Sequence, residues 1–366
     1  MVTLLSFRQP TLWLKYLPIL SEPYLSLELS NENICSISVA SGAQALVAAL
    51  CERCRTCKSV IIYTDRNSYC VDLVGCLESY LPVKEVVNMN NPSLHKAGTQ
   101  NAHDLFVGIG ANLALNEAKL AASQIKCQVT LALIPTSLAT DSFLTNKFRG
   151  NGDNIHEPSH AGKYPDIVVF PSWVVRHAPQ RVNFAGMGEG CALYSAVRDL
   201  LLTQPDPLTK VAIGETTKIL QWVMTEASND SPSESSLHVI RGILLLKSLI
   251  MWAFNDCRWG AGSEHKIAYA LSLVSKSNLL HGEACAFGTC FIVRYLSTYF
   301  PGIVDTSLLI ELYQRFRLPM TLKDVGIDKH TLCAVIRNAR KFRPARRTLV
   351  DVLEEDRFME FIFREI

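Results

Sequence analysis

The chain has 366 residues, enough for two domains, because single cores rarely grow past roughly 250 to 300 residues. With 48% hydrophobic and 19% charged residues it falls among globular proteins with filled cores and outside the disordered and fibrous classes. A net charge of +2 gives no electrostatic footing for nucleic acid or a membrane surface as partner.

The opening "MVTLLSFRQPTLWLKYLPIL" is broken by Arg8, Pro10, Lys15 and Pro18 before the core of a signal peptide can form, so a cytoplasmic protein is expected. No run is expected to reach the ~18 apolar residues of a membrane helix. "SGAQALVAALCERC" reads as an amphipathic helix, "SVIIYTDRNS" as a strand ending at Asp65, and "SYCVDLVGCLESYL" as the next helix. "DLFVGIGANLALNEAKLAAS" is a strand, a glycine turn and a helix, and "QVTLALIPTSLATDS" a strand that breaks into a loop at Pro135. After a polar, turn-rich stretch from Phe143 to Gly162, "IVVFP" closes this half. Strands alternating with helices predict a parallel, Rossmann-like sheet. The domain boundary is expected near Pro171, giving an α/β domain over 1–171 and an all-α domain over 172–366, where every following pattern is helical.

The twelve cysteines are scattered, and many, Cys285 among them, lie in apolar surroundings where a thiol is a small buried hydrophobe. Cys51, Cys54 and Cys57 recur every third residue, but no fourth ligand follows at a defined spacing, so no metal is expected there. "RNARKFRPARR" reads as a solvated cationic helix face, and Trp222, Trp252 and Trp259 as core or subunit-contact residues.

Three places carry possible chemistry. Between strand and helix, Gly108 and Gly110 would let backbone N–H groups approach a pyrophosphate, although a plain tight turn has the same spelling. Asp65, at the carboxyl end of the preceding strand, stands where open parallel sheets bind ligands; it could bind a ribose hydroxyl or cap the next helix. His265 and His281 open successive helices, each beside a glutamate. A lone histidine on an apolar face is more often a packing residue, but two at helix starts suggest a metal site needing a third group. Glu189, in "AGMGEGCALYSAVRD", is the candidate.

"VIIYTDRN", "VGIGANLALNEAKLAA", "IPTSLATDS", "PDIVVFP", "AGMGEGCALYSAVRD", "GSEHKIAYAL", "LLHGEACAFGT" and "LPMTLKDVGI" occur in the same order as the motifs of one superfamily, which the chain resembles from about Val60 onward. It unites iron-containing alcohol dehydrogenases, glycerol and glycerol-1-phosphate dehydrogenases, and dehydroquinate synthases. The resemblance implies one divalent metal, zinc in preference to iron, held by Glu189, His265 and His281. It also implies NAD(H) or NADP(H) across a cleft between the two domains, where the active site would lie. Asp65 would meet the adenosine ribose, Gly108 and Gly110 the pyrophosphate, and Thr136, Ser137 and Asp141 the nicotinamide side; Asn67, Asn116 and Lys119 complete the cofactor set. The metal would lower the pKa of a substrate hydroxyl and hold the alkoxide while hydride leaves the adjacent carbon.

The chain departs from the family in places. Asn112 replaces a glycine and Asn116 stands at an aspartate position. Glu189, where the dehydrogenases commonly carry aspartate, leans toward the synthases, as do Lys147, Lys247 and Arg258, cations suited to an anionic substrate. Ala192 and Tyr269 stand where the synthases have lysine and histidine. "GSEH", "HGEACAFGT" and "LPMTLKDVGI" look more like glycerol-1-phosphate dehydrogenases. The resemblance therefore implies a metal-dependent NAD(P)-linked oxidoreductase of a phosphorylated polyol or its ketone, with a sugar-phosphate cyclase as the alternative. A degenerate, non-catalytic homologue that binds a partner is the third class. Apolar C-terminal helices point to a homodimer or larger homo-oligomer.

Overall fold

The computed structural model describes residues 2–30, 35–54, 57–65, 68–89, 104–125, 128–148, 160–227, 234–274, 278–343 and 346–366. These form two compact units. The first comprises Met1–Leu4, Glu22–Asp153 and Ser159–Pro179; the second contains Leu5–Ser21 and Gln180–Ile366.

In chain order the elements of the first unit are β1 (Val2–Thr3), β2 (Ser26–Ser30), β3 (Cys35–Ala40), β4 (Val60–Thr64), β5 (Val83–Asn88), β6 (Leu105–Gly110), β7 (Thr130–Pro135), the short β8 (Lys147–Phe148) and β9 (His160–Ala161), and β10 (Ile167–Pro171). Eight of these strands form one sheet in the order β1-β2-β3-β10-β7-β6-β4-β5, and β8 pairs with β9 separately. The six strands from β3 to β5 in that order run parallel, whereas β2 is antiparallel to β3. Every residue of β4, β6 and β10 is buried, the continuous apolar pattern of strands covered on both faces. The reversed edge, β1 and β2, departs from a wholly parallel sheet. Its "SLELS" alternates in the manner of an antiparallel edge strand.

The helices are α1 (Trp13–Ser21), α2 (Ala43–Cys54), α3 (Ser68–Glu78), α4 (Asn112–Gln124), α5 (Ser172–His177), α6 (Gln180–Thr203), α7 (Pro207–Glu226), α8 (Glu234–Phe254), α9 (Ser263–Val274), α10 (His281–Tyr299), α11 (Thr306–Arg315), α12 (Lys329–Ala339), α13 (Leu349–Val352) and α14 (Glu355–Glu365). Helices α2 to α5 lie in the first unit; α1 and α6 to α14 make the second.

This division corrects the boundary expected at 171 in two ways. The sheet unit extends through α5 to Pro179, and Leu5–Ser21 joins the helical unit. The reason for the second is burial: Trp13, Leu17 and Leu20 of α1 are fully covered, Arg8 donates to the Ala253 carbonyl at 2.6 Å, and the Trp13 ring meets Trp259 edge-on at 5.9 Å. Each such side chain contributes about 1.5–3 kcal/mol by leaving water, so the segment is held by the helices it covers. Among the described residues α8 is the one helix long and apolar enough to span a bilayer, and 83% of its apolar window is buried in the protein. It escaped notice in the sequence because Arg241 and Lys247 interrupt its apolar run.

Candidate metal centre and nucleotide-binding edge

The second unit brings Glu189, His265 and His281 together, although 76 and 16 residues separate successive members. Glu189 lies midway along α6, His265 in the first turn of α9, and His281 at the first position of α10. Helix α10 can approach α6 because two glycines face the contact. A Cβ on Gly282 would stand 1.9 Å from the Ala185 carbonyl oxygen, and one on Gly188 2.2 Å from the Gly282 carbonyl. The glutamates beside the histidines have other duties. Glu283 accepts from the Leu280 N–H at 2.8 Å and pairs with Arg181 at 2.6 Å, fixing the start of α10. Glu264, fully buried, accepts from Ser195 Oγ at 3.0 Å and Gly262 N–H at 2.6 Å and meets His265 Nδ1 at 2.9 Å.

That network assigns the tautomer. With donors converging on Glu264, Nδ1 of His265 carries its proton, which leaves Nε2 facing Glu189 Oε1 at 3.1 Å. Two electron-rich atoms so close require a cation between them, a proton or a metal ion. Burial lowers the basicity of His265, but Glu189 and the contact with Glu264 outweigh it, and its pKa stands above the ordinary value. For Glu189, burial likewise opposes the charge, yet the Lys247 ammonium, His265 and His281 hold the carboxyl well below the usual range. Lys247, completely buried, donates to Glu189 Oε1. The other oxygen, Oε2, is buried with no hydrogen-bond partner and lies 3.5 Å from His281 Nε2. An orphaned carboxylate oxygen among imidazole nitrogens fits a divalent cation. Cys285 Sγ joins them: one ligand atom from each of Glu189, His265, His281 and Cys285 lies within 4.8 Å of every other.

The His281 ring stacks on Tyr269 at 5.2 Å. The guanidinium of Arg343 sits 4.6 Å over Tyr269 and donates to its hydroxyl at 2.6 Å. The reading of "RNARKFRPARR" as a solvated face holds for Arg337, Lys341 and Arg347, which are exposed, and not for Arg343. Arg337 pairs with Glu355, Arg340 donates to the Leu353 carbonyl and Arg346 to that of Ala261, so these cations tie α12 and the following loop to neighbouring segments. Arg258 is engaged by Asp256 in a bidentate pair, Nη2 donating to Oδ2 at 2.7 Å and Nε to Oδ1 at 3.2 Å. Lys147 starts β8, but its side chain lies outside the described residues.

In the first unit, Asp65, Gly110 and Thr136 stand at the carboxyl ends of neighbouring strands β4, β6 and β7, the ligand-binding edge of a parallel sheet. Asp65 Oδ2 accepts from the Ala111 N–H at 2.7 Å and does not cap α3 through any described bond. Burial raises its pKa, an effect the Ala111 N–H partly offsets. Gly110 has φ +143°, and a Cβ there would lie 2.2 Å from Asp65 Oδ2. Gly108 packs under α4 against Leu133, Ala118 and the Ala114 carbonyl. Ala111, the N-cap of α4, gives no side-chain cap, so this helix start suits an anion. Asn116 donates to Asn112 at 3.1 Å and accepts from Lys119 at 3.3 Å, and Lys119 also donates to the Ser142 carbonyl. Thr136 and Ser137 are buried, and Asp141 lies in the loop after β7. Asn67 lies outside the described residues. The motifs assign no site role to Cys285 or Glu264. The signal for Cys285 was its place four residues after His281, one helical turn along the same face.

No family model matches the chain. The fold is shared with solved glycerol dehydrogenase and 2-deoxy-scyllo-inosose synthase structures. A probable glycerol dehydrogenase from Sinorhizobium meliloti superposes with a TM-score of 0.68 at 21% identity, over 89% of this chain and 94% of that one. 2-Deoxy-scyllo-inosose synthase, solved with carbaglucose-6-phosphate, NAD+ and Co2+, gives 0.64 at 15% identity over 92% and 99%. Among curated proteins, the chain is similar to the glycerol-1-phosphate dehydrogenase [NAD(P)+] of Methanoculleus marisnigri, 26% identical over 324 residues, 84% of this chain and 86% of the relative.

Proposed function

We propose that the protein is an NAD(P)- and metal-dependent dehydrogenase of a phosphorylated polyol or the corresponding ketone. The observation that carries this reading is the Glu189–His265–His281 cluster, two of its members buried, in which an unsatisfied Glu189 oxygen stands among imidazole nitrogens and makes a site for one divalent ion. When bound, such an ion would acidify a substrate hydroxyl, and a nicotinamide dinucleotide would take up hydride. The chain's own residues supply the rest. Glu264 orients His265. Lys247 neutralises part of the charge on Glu189. Arg343, one ring beyond His281, brings positive charge toward an anionic substrate. On the sheet unit, Asp65, Gly110 and the start of α4 are proposed to hold ribose and pyrophosphate, with Asn116, Lys119, Thr136, Ser137 and Asp141 nearer the nicotinamide. The likeness to NAD(P)-linked glycerol-1-phosphate dehydrogenases supports both substrate class and cofactor.

The cyclase reading is favoured by one feature, a glutamate metal ligand paired with a buried lysine. Incubation with phosphorylated polyols and ketoses, reading NAD(P)H absorbance and free phosphate together, separates the two. A net absorbance change without phosphate is the expected result; phosphate release without net change would establish the cyclase. We place the protein in the cytoplasm, as a homo-oligomer, with zinc as the preferred metal. All the described cysteines are free, which accords with a reducing compartment.

A further inference from the structure

We propose that Cys285 is a fourth ligand of the metal centre, so that the ion is held by one carboxylate, two imidazoles and a thiolate. The inference rests on the metal reading above and deepens it, because the motifs offer three ligands only.

Cys285 follows His281 by one turn of α10, which puts both side chains on one face of the helix. Its sulfur lies 3.6 Å from His281 Nε2, and its side chain is completely buried. In a tetrahedral zinc site, Zn–N near 2.0–2.1 Å and Zn–S near 2.3 Å put ligand atoms about 3.3–3.7 Å apart. The separations of 3.5 Å from His281 Nε2 to Glu189 Oε2 and 3.6 Å from sulfur to His281 Nε2 are close to such edges, and one ligand atom from each of the four residues lies within 4.8 Å of every other. Oε2 of Glu189, buried, with no hydrogen-bond donor at bonding distance and 3.5 Å from His281 Nε2, marks the place of a cation in the same cluster.

A thiolate in the set biases the centre toward zinc or cobalt and away from magnesium, which prefers oxygen donors. Binding exchanges the S–H bond of Cys285 for a sulfur–metal bond and releases one proton, with no change of oxidation state. With four protein ligands, a substrate oxygen would enter as a fifth, an expansion that catalytic zinc accepts. The remaining approach is on the side of His281, which is 41% exposed, whereas Glu189 and His265 are at 5% or less.

The test uses the full-length protein, stripped by chelator and reloaded with Zn2+ or Co2+. X-ray absorption of the zinc form should show one sulfur at about 2.3 Å. The cobalt form should show a sulfur-to-metal charge-transfer band in the near ultraviolet. Both signals should vanish in Cys285→Ser and in Cys285→Val, the second keeping an apolar side chain in place. Zinc affinity should fall by about tenfold or more, at least the loss typical of an outer-shell partner. A bound ion with only nitrogen and oxygen neighbours, or a sulfur signal that survives in both variants, overturns the proposal and leaves the three-ligand reading standing. Failure of the wild-type protein to bind either ion overturns both.

Discussion

Lys247 and Glu189 form an ion pair from which water is excluded, with side-chain exposures of 0% and 2%. Breaking such a pair strands a charge in low dielectric, at a cost of about 3–5 kcal/mol. Lys247→Met should therefore lower the urea midpoint of the metal-free protein strongly, and zinc should recover much of the loss by giving Glu189 another cation. Equal losses with and without zinc would show that the carboxylate and the ion do not meet. Lys119 is the opposite case, a buried cation beside neutral Asn116. Burial pushes its pKa down to about 7, and Asp141 offsets this only in part. The unfolded chain keeps that proton to about 10.5, so between pH 7 and 10.5 the unfolded state binds more protons and stability rises with pH. Below pH 7 the folded protein bears the buried charge in full. Lys119→Met should flatten the rise in melting temperature between pH 7 and 9, and Asn116→Asp should shift it to higher pH; a slope unchanged in both would refute the assignment.

At the level of elements, the metal cluster depends on how closely α10 lies on α6. Gly282→Ala would set a methyl group 1.9 Å from a backbone oxygen that cannot swing aside, forcing the helices apart. The expected cost is about 1–3 kcal/mol or more, with a loss of metal affinity because Glu189 and His281 ride on the two helices being separated. Calorimetric unfolding together with zinc titration reads both. The helices carrying Glu189, His265 and His281 were legible in the sequence, since each motif spells a helix segment with the ligand at a recognisable place. The functions of the adjacent glutamates were not, because whether a carboxylate meets a ring nitrogen or a helix N–H depends on rotamers and on Ser195 or Arg181, distant in sequence. Cys285 was obscured for a compositional reason: among twelve cysteines in apolar surroundings, burial alone is the ordinary expectation.

For the whole molecule, sequence order and spatial membership part company at the N-terminus. The α/β half was legible from alternating strands and helices, yet no local pattern tells that α1 belongs with helices more than two hundred residues away. Hydrogen bonds from Arg8 to Ala253 and from Arg241 to Leu20 span 245 and 221 positions. A chain lacking residues 1–21 is expected to express poorly or melt well below the full-length protein, through exposure of the α8 surface that Trp13, Leu17 and Leu20 cover. An unchanged melting temperature would deny α1 this role. The same arrangement sets a problem of timing on the ribosome. At roughly 5–20 residues per second, α1 emerges more than ten seconds before α8 exists, with its tryptophan and leucines awaiting a partner. Through that interval the apolar face of α1 has no α8 to cover, and the helical unit can close around it only after more than two hundred further residues have been made.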